Sequence, residues 1–243
     1  MTSIDTTKRT SRRALAVRLI VTAIAIGFWF WTQSLIGRRN LSSSGIGDGL
    51  QSLSAPVNRY LVSHPAAANG VLIASSGLID LLALFLFTEW VFGRSVRPLL
   101  GLAILLGLRQ IAEALCALPK PDGMIWHYPG FPSLLVTYRV SNDFFFSAHT
   151  SIAVFAATEI ARLGRRWLTL LAVVIVLFEA AAVLVLRAHY TMDIFTAIFV
   201  ALYIAHLAER ISPPLDRALA KYWAPRVHPK SSHPPGTTPG RIE

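Results

Sequence analysis

The apolar residues of this chain come in long runs, and this arrangement restricts the fold more than any other feature. Six runs approach the ~20 residues that an α-helix needs to cross the hydrocarbon core of a bilayer. Hydrophobic residues make up 53% of the 243 residues and charged residues only 15%, which is unlike an ordinary soluble domain. We therefore predict an all-α, polytopic membrane protein built as a bundle of six transmembrane helices.

Polar and basic segments divide these runs from one another and predict the organisation of the chain. The predicted spans are about 14–36, 67–92, 99–118, 144–163, 167–186 and 189–207. Residues 1–13 are predicted to be a basic N-terminus, 14–211 the membrane domain, and 212–243 an interfacial segment with a disordered tail. We expect a surface-lying helix near residues 50–62, and an ordered, non-helical cap in the Pro/Gly-rich stretch 119–142.

The net charge of +10 would suggest a nucleic-acid partner in a soluble protein. In a membrane protein, the excess of basic residues in cytoplasmic segments explains it better, so no nucleic-acid partner is expected. Both termini and the turns 93–98 and 164–166 are then cytoplasmic. The first apolar run is too long for a signal-peptide core and is interpreted as a retained anchor. Compact turns and the lack of a targeting segment favour a bacterial inner membrane.

Two short segments carry histidines where predicted spans meet the outer, periplasmic side. They read Asp143-Phe-Phe-Phe-Ser-Ala-His149-Thr150 and Arg187-Ala-His189-Tyr190-Thr191-Met192-Asp193. Asp193 follows His189 by four residues, so its carboxylate is expected on the same helical face, where it fixes the imidazole tautomer and raises its basicity. His149 is predicted one to two turns inside its span and is placed to act as a general acid. Together these residues indicate phosphoryl transfer through a phosphohistidine, with no metal and no other cofactor required.

Other interpretations of these residues remain open. A histidine at a helix end is often a satisfied interfacial residue. His189 and Asp193 also have a spacing that fits a shared metal ion, although no third or fourth ligand is evident. A hydrolase triad of Ser147, His189 and Asp193 lacks the strand–turn–helix elbow that exposes such a serine.

The two segments also carry a family resemblance. Asp143-x3-Ser147-Ala-His149-Thr150 and His189-Tyr190-Thr191-x-Asp193 resemble the catalytic motifs of the sphingomyelin synthase branch of the type 2 phosphatidic acid phosphatase superfamily. Upstream, Arg109 and the run Leu118-Pro119-x-Pro121-x-Gly123 are similar to that branch and to plant phosphatidylcholine:diacylglycerol cholinephosphotransferases. The resemblance covers about residues 100–210. It implies a six-helix membrane bundle with His189 as nucleophile, Asp193 as its partner and His149 as acid.

Departures from the phosphatase pattern bear on the substrate. The Lys-x6-Arg-Pro motif of the phosphatases has Trp90 in place of lysine before Arg97-Pro98, Val183 replaces a second arginine, and Ala148 replaces the usual glycine. The missing cations would hold a dianionic phosphomonoester, whereas a phosphodiester carries one charge fewer. We therefore expect transfer of phosphocholine or phosphoethanolamine from a phospholipid donor to a lipid hydroxyl, such as diacylglycerol or a ceramide-like acceptor. The alternatives are a lipid phosphate phosphatase and, third, a non-enzymatic flippase or scaffold.

Further polar residues are candidates for contact with substrate or phosphate. They are Asp143, Ser147, Thr150, Arg109, Arg187 and Tyr190. Arg109 and Glu113 are also spaced as a buried structural pair, and Arg187 equally fits an interfacial side chain. Asp80, Glu159 and Glu179 are intramembrane carboxylates to which no role is assigned.

Overall fold

Seven helices make up the part of the chain that the computed structural model describes. That part comprises residues 46–93, 95–116, 118–136, 138 and 144–223. The helices are α1 Gly49–Leu53, α2 Ala55–Ser63, α3 Pro65–Phe92, α4 Arg97–Leu115, α5 Ala148–Ala161, α6 Arg166–Val185 and α7 Thr191–Trp223. For the described residues, the predicted all-α class is confirmed.

Four of the described helices are long and apolar enough to cross a membrane, which fits an integral membrane protein. They are α3, α4, α6 and the part of α7 over Thr191–Ala218. Their bounds lie close to the predicted spans, and α3 and α4 begin at Pro65 and Arg97-Pro98, where a missing N–H costs no helical hydrogen bond. The predicted span 14–36 falls outside the described residues. Four spans, rather than six, are therefore shown.

Helix α5 corresponds to the predicted fourth span but is shorter. Its 14 residues extend roughly 21 Å, less than the ~30 Å of a hydrocarbon core. It begins at Ala148 rather than near Phe144, because the Ser147 hydroxyl accepts a hydrogen bond from the Thr150 N–H and caps the helix. His149 consequently lies in the first turn, and its predicted position one to two turns inside the span was wrong.

The core of the bundle is built around α5, which contacts α3, α4, α6 and α7. Nine of its residues are buried, so it is surrounded by the longer helices. Gly101 of α4 allows this close packing, because a Cβ added there would lie 2.2 Å from the Phe155 ring. The axis of the bundle therefore carries His149 at one end and Glu159 at the other.

Polar contacts hold the end of the bundle that lies away from the histidines. Arg97 donates to both carboxylate oxygens of Glu159 at 2.8–3.0 Å. Asp216 of α7 accepts from the Ser95 hydroxyl and the Val96 N–H, at the start of α4.

Helix α7 continues without interruption to Trp223, although a span ending near residue 207 and a separate interfacial segment from residue 212 were predicted. Pro213 and Pro214 lie inside it. A proline removes the hydrogen bond to the carbonyl four residues earlier. Here these carbonyls belong to the exposed Glu209 and Arg210, so the helix can pass through both prolines.

Candidate active site

Three polar side chains from separate parts of the bundle meet at one cavity. His149 from the start of α5, His189 from the turn between α6 and α7, and Arg109 from α4 line a space of about 240 Å³. The rest of the described lining is largely apolar and includes Trp126 and Phe144. The structure thus brings both predicted histidines and one predicted cation to the same site.

His189 is oriented by a backbone group. Its Nδ1 atom lies 2.8 Å from the carbonyl oxygen of Phe144. A carbonyl oxygen can only accept a hydrogen bond, so Nδ1 carries the proton and Nε2 keeps its lone pair. The His189 backbone carbonyl accepts from the Gln51 side chain at 3.1 Å, which holds the turn from the other side. This arrangement leaves the lone pair of Nε2 available.

Asp193 lies behind the His189 ring without taking its proton. Its Oδ2 atom is 3.7 Å from His189 Nδ1, too far for a hydrogen bond, and accepts one from the Tyr190 N–H at 2.8 Å. His189 lies in the turn before α7 and Asp193 lies in the first turn of α7. The two residues are therefore not on one helical face, although this was predicted. Asp193 is fully buried, and its Oδ1 atom has no hydrogen-bond partner among the described residues. The carboxylate is placed to stabilise positive charge on the ring.

The non-helical segment Phe144–Ser147, which precedes α5, positions the groups around the cavity. Besides the Phe144 carbonyl, the Phe146 carbonyl accepts from Arg109 Nε at 2.8 Å. The Ser147 N–H donates to the Asp193 carbonyl at 3.4 Å. Each of these contacts involves a backbone carbonyl, so no side-chain pattern in the sequence predicts it.

Arg109 forms the predicted pair with Glu113 and also lies at the cavity wall, while its contact with phosphate stays a prediction. Its Nη2 atom lies 2.5 Å from Glu113 Oε1, as expected of a structural pair, and its side chain also lines the cavity. It is only 7% exposed. A cation held by two contacts in this way is fixed in place at the cavity wall.

His149 faces the cavity with an unused ring nitrogen. In the part of the chain that the structure describes, its Nε2 atom has no hydrogen-bond partner. The edge of the Trp126 ring packs near it, with centroids 5.5 Å apart and planes at 79°. The neighbouring Ser147 and Thr150 are fully buried and lie outside the described lining. Ser147 caps α5, whereas the described residues offer the Thr150 hydroxyl no partner.

Arg187 and Tyr190 contact the stretch Pro119–Gly123 of the predicted cap. Arg187 Nη1 donates to the Asp122 carbonyl at 2.5 Å, and the Tyr190 hydroxyl donates to the Pro119 carbonyl at 2.9 Å. The described lining of the cavity includes neither side chain. Their contact with substrate stays a prediction, and the candidate Asp143 lies outside the described residues.

The segment before α3 contributes residues that the sequence analysis missed. Instead of one surface-lying helix, the segment forms α1 and α2, and three of its polar side chains contact the cap, the end of α6 and the turn before α7. Asp48 accepts from the Thr191 N–H and hydroxyl at 2.6 and 2.5 Å. Asn58 donates to the carbonyls of Gly123 and Val185 at 3.0 and 2.8 Å. The seven-residue spacing of Gln51 and Asn58 was the available signal, because it is compatible with one buried polar face.

Hydrogen bonding also determines the ionisation of Asp48. Burial alone would raise the pKa of its carboxyl group, but donors from Gln51 and Thr191 hold that pKa below its ordinary value. Asp48 is therefore a charged cap at the start of α7, where the helix dipole favours an anion.

The three intramembrane carboxylates that had no assigned role have structural partners. Asp80 binds the loop after Phe131, Glu159 pairs with Arg97, and Glu179 accepts from the Ser75 hydroxyl at 2.6 Å. Within the described residues, no group of three or more His, Cys, Asp or Glu side chains is arranged to hold a metal ion.

Comparison with known protein families identifies a match over most of the described chain. A family model described as AtPDCT1/2 matches residues 49–210, about two thirds of the chain. The match begins well before residue 100, where the motif resemblance was expected to start, and so includes α1, α2 and α3. No curated protein and no solved structure matches the chain.

Proposed function

This chain belongs to the AtPDCT1/2 family, which is phosphatidylcholine:diacylglycerol cholinephosphotransferase-like, and we propose that it transfers a phospho-alcohol head group between lipids. The donor is a phospholipid with a phosphocholine or phosphoethanolamine head group. The acceptor is a lipid hydroxyl, of the diacylglycerol or ceramide-like kind. We also assign the two histidine motifs to the type 2 phosphatidic acid phosphatase superfamily, on the resemblance of their residues.

The observation that carries this proposal is the meeting of two differently held histidines at one cavity. His189 has its proton on Nδ1, facing Phe144, and its lone pair on Nε2. His149 presents an Nε2 atom that is unbonded among the described residues. A double-displacement phosphoryl transfer requires a nucleophile and a general acid at one site, and these two histidines can supply both.

In the first half-reaction, His189 Nε2 attacks the phosphorus of the donor phosphodiester. The Nε2–P bond forms as the bond from phosphorus to the glycerol oxygen breaks. Protonated His149 gives its proton to that oxygen, so diacylglycerol leaves as a neutral alcohol. The imidazole of His189 keeps its Nδ1 proton and becomes cationic, and Asp193 at 3.7 Å stabilises this charge.

In the second half-reaction, the acceptor hydroxyl takes the place of the departed alcohol. Neutral His149 removes its proton, and the acceptor oxygen attacks phosphorus. The Nε2–P bond breaks, the electron pair returns to His189, and His149 is again protonated. Both half-reactions use the same groups in opposite directions.

Arg109 is proposed to bind the phosphodiester during both steps. The substrate carries a single negative charge, and the guanidinium at the cavity wall balances it through its contacts to non-bridging oxygens. Because Glu113 neutralises part of this charge, the site is better suited to a phosphodiester than to a dianionic phosphomonoester.

We propose a six-span topology around this site. The four long helices would be joined by the run 14–36 and by α5 together with its flanking residues. Basic residues at Arg162, Arg165 and Arg166 lie at the opposite end of α5 from His149, which supports a cytoplasmic position for that turn. The cavity would then face the periplasmic side of a bacterial inner membrane, with both termini in the cytoplasm.

The decisive experiment compares two substrates with the purified protein in nanodiscs. Unlabelled phosphatidylcholine is incubated with diacylglycerol labelled in its glycerol backbone, and labelled phosphatidic acid is tested separately. We expect label to appear in new phosphatidylcholine, and an acid-labile phosphoryl adduct to form on the wild type but not on His189→Ala. Release of inorganic phosphate from phosphatidic acid without head-group exchange would support a phosphatase and overturn the transferase.

Two variants and one control complete this test. His189→Ala and His149→Ala are each expected to lower exchange by several orders of magnitude. His206→Ala removes an exposed histidine of α7 and is expected to retain full exchange. Unchanged function in the first two variants would instead favour a flippase or scaffold.

A further inference from the structure

An apolar groove lies beside the catalytic cavity. Helix α3 and the loop residues Phe131–Leu134 enclose about 960 Å³. Leu81, Leu84 and Leu134 line it and are 63%, 57% and 68% exposed. Since α3 is a candidate membrane span, the groove opens toward the hydrocarbon of the bilayer.

The groove and the cavity lie on opposite sides of the same two short segments. On α3, Ile79 lines the cavity, while Leu78 and Asp80 line the groove. In the loop, Leu134 lines the groove and the next residue, Leu135, lines the cavity. A wall one or two residues thick therefore separates the polar site from the apolar one.

Asp80 holds this wall together. Its Oδ1 atom accepts from the Ser133 hydroxyl at 3.0 Å and the Leu135 N–H at 3.1 Å, and its Oδ2 atom accepts from the Leu134 N–H at 2.9 Å. A carboxylate within an apolar span is costly unless its oxygens are bonded. Its three bonds attach the loop to α3 and keep the groove next to the cavity.

We propose that this groove binds the acyl chains of the glycerolipid whose head group occupies the catalytic cavity, with the lipid backbone crossing the edge of the wall between them. The inference rests on the proposed function, because it is the head-group chemistry that requires a lipid at the cavity. At 240 Å³ the cavity is smaller than the roughly 300–1,000 Å³ of sites that enclose a drug-sized ligand. It has room for a phospho-alcohol head group but not for two acyl chains.

A glycerolipid has the same two parts as this pair of sites, a charged head and apolar chains joined by a short backbone. Moving a chain from the bilayer into the groove exchanges one apolar environment for another, so little affinity is gained. The groove acts by position, presenting the phosphodiester to His189 from one side. Donor and acceptor share the same acyl chemistry, so they would occupy the groove in turn.

Gly77 offers a direct test because it lines the groove and a Cβ added there meets nothing within 4 Å. Gly77→Trp fills the groove, and replacing a helical glycine does not weaken the helix. The matched control is Gly107→Trp on α4, an exposed position whose added Cβ also meets nothing within 4 Å. Gly107 lines neither the cavity nor the groove.

Head-group exchange is measured with dioleoyl lipids in nanodiscs and with dihexanoyl lipids in detergent micelles. We expect Gly77→Trp to lower exchange between dioleoyl lipids at least tenfold and to leave dihexanoyl exchange within twofold of wild type. Gly107→Trp should match wild type with both. Wild-type dioleoyl exchange in Gly77→Trp, or an equal loss with both chain lengths, would overturn the proposal.

A second measurement separates this proposal from the proposed function. A phosphatidylcholine with a diazirine in its acyl chain is photolysed in nanodiscs that contain each variant. We expect the wild type and Gly107→Trp to be labelled in the peptides around residues 77–84 and 131–134. Gly77→Trp should lose most of the label in these peptides. Equal labelling in Gly77→Trp refutes the groove, whether or not the protein exchanges head groups. Failure of exchange in the wild type with every lipid would refute only the function.

Discussion

Asp193→Asn is the substitution that tests the active-site geometry most closely. The amide oxygen of asparagine can still accept the Tyr190 N–H, so the start of α7 is retained while the charge is removed. The tautomer of His189 should also survive, because the Phe144 carbonyl, and not Asp193, accepts the Nδ1 proton at 2.8 Å. The variant therefore isolates the electrostatic contribution of the carboxylate.

The magnitude follows from the separation of the two charges. A full positive charge 3.7 Å from Asp193 is stabilised by about 4.5 kcal/mol at an effective dielectric constant of ~20. With half of that charge developed in the transition state, the loss is about 2 kcal/mol, or roughly 40-fold in rate. Where a carboxylate is itself the group that fixes the tautomer, as in a serine protease triad, the corresponding substitution costs about 10⁴-fold.

The assay is head-group exchange between phosphatidylcholine and labelled diacylglycerol in nanodiscs, with the fold checked by thermal unfolding. Asp216→Asn is the matched control, because it removes a carboxylate at the other end of the same helix, where Ser95 and Val96 are the partners. We expect this control to retain wild-type exchange. A loss near 10⁴-fold in folded Asp193→Asn would show that the carboxylate fixes the tautomer, and wild-type activity would show that its charge has no effect. Either result would refute the reasoning.

Three further predictions concern the contacts that hold the site and the bundle. Asp48→Ala removes the acceptor for the Thr191 N–H and hydroxyl and is expected to cost about 1–2 kcal/mol of stability, as other helix caps do; the fall in melting temperature measures it, and no fall would contradict the capping role. Hydrogen bonds hold the pKa of Asp48 below 3.8. The stability that the Asp48 carboxylate contributes is therefore complete above pH 3.8 and is lost as the pH falls through its lower pKa in the folded state. The difference in melting temperature between wild type and Asp48→Ala should accordingly narrow only below pH 3.8. Arg97→Ala removes the bidentate partner of the buried Glu159 but leaves Arg162, whose Nε atom lies 3.3 Å from Glu159 Oε1, so the expected cost is about 2 kcal/mol of stability, as for other hydrogen bonds to a charged group. Arg166→Ala, at an exposed position, should leave the melting temperature unchanged, and equal melting temperatures for the two variants would contradict this.

The long helices were predictable because their signal is local. Each of α3, α4 and α6 is a run of apolar residues bounded by proline, glycine or charge, and its limits in the structure lie within a few residues of those predicted. Helix α5 departs from its predicted limits because the Ser147 side chain caps it at Ala148. The extension of α7 through Pro213 and Pro214 occurs where Glu209 and Arg210 are exposed in the folded chain, which hydropathy does not report.

The candidate site was predictable in its side chains but not in their partners. His149, His189 and Asp193 have a spacing that pointed to one site, and the cavity brings both histidines together with Arg109. The group that accepts the His189 proton is a backbone carbonyl of Phe144, and every non-proline residue has the same backbone groups. Asp48, Gln51 and Asn58 reach the site from a segment whose local pattern suggested only a surface helix.

The amino-acid sequence by itself determined the class of this protein and the residues able to do its chemistry. Long apolar runs require helices in a bilayer, because unpaired backbone groups are too costly there, and two histidines with an aspartate supply the groups that the proposed phosphoryl transfer uses. Only the tertiary structure decided which nitrogen of His189 is available and how Asp193 acts on it. It also decided that Asp80 holds a wall between a polar cavity and an apolar groove. These features depend on distances between residues that are far apart in the chain, and such distances exist only once the helices have packed.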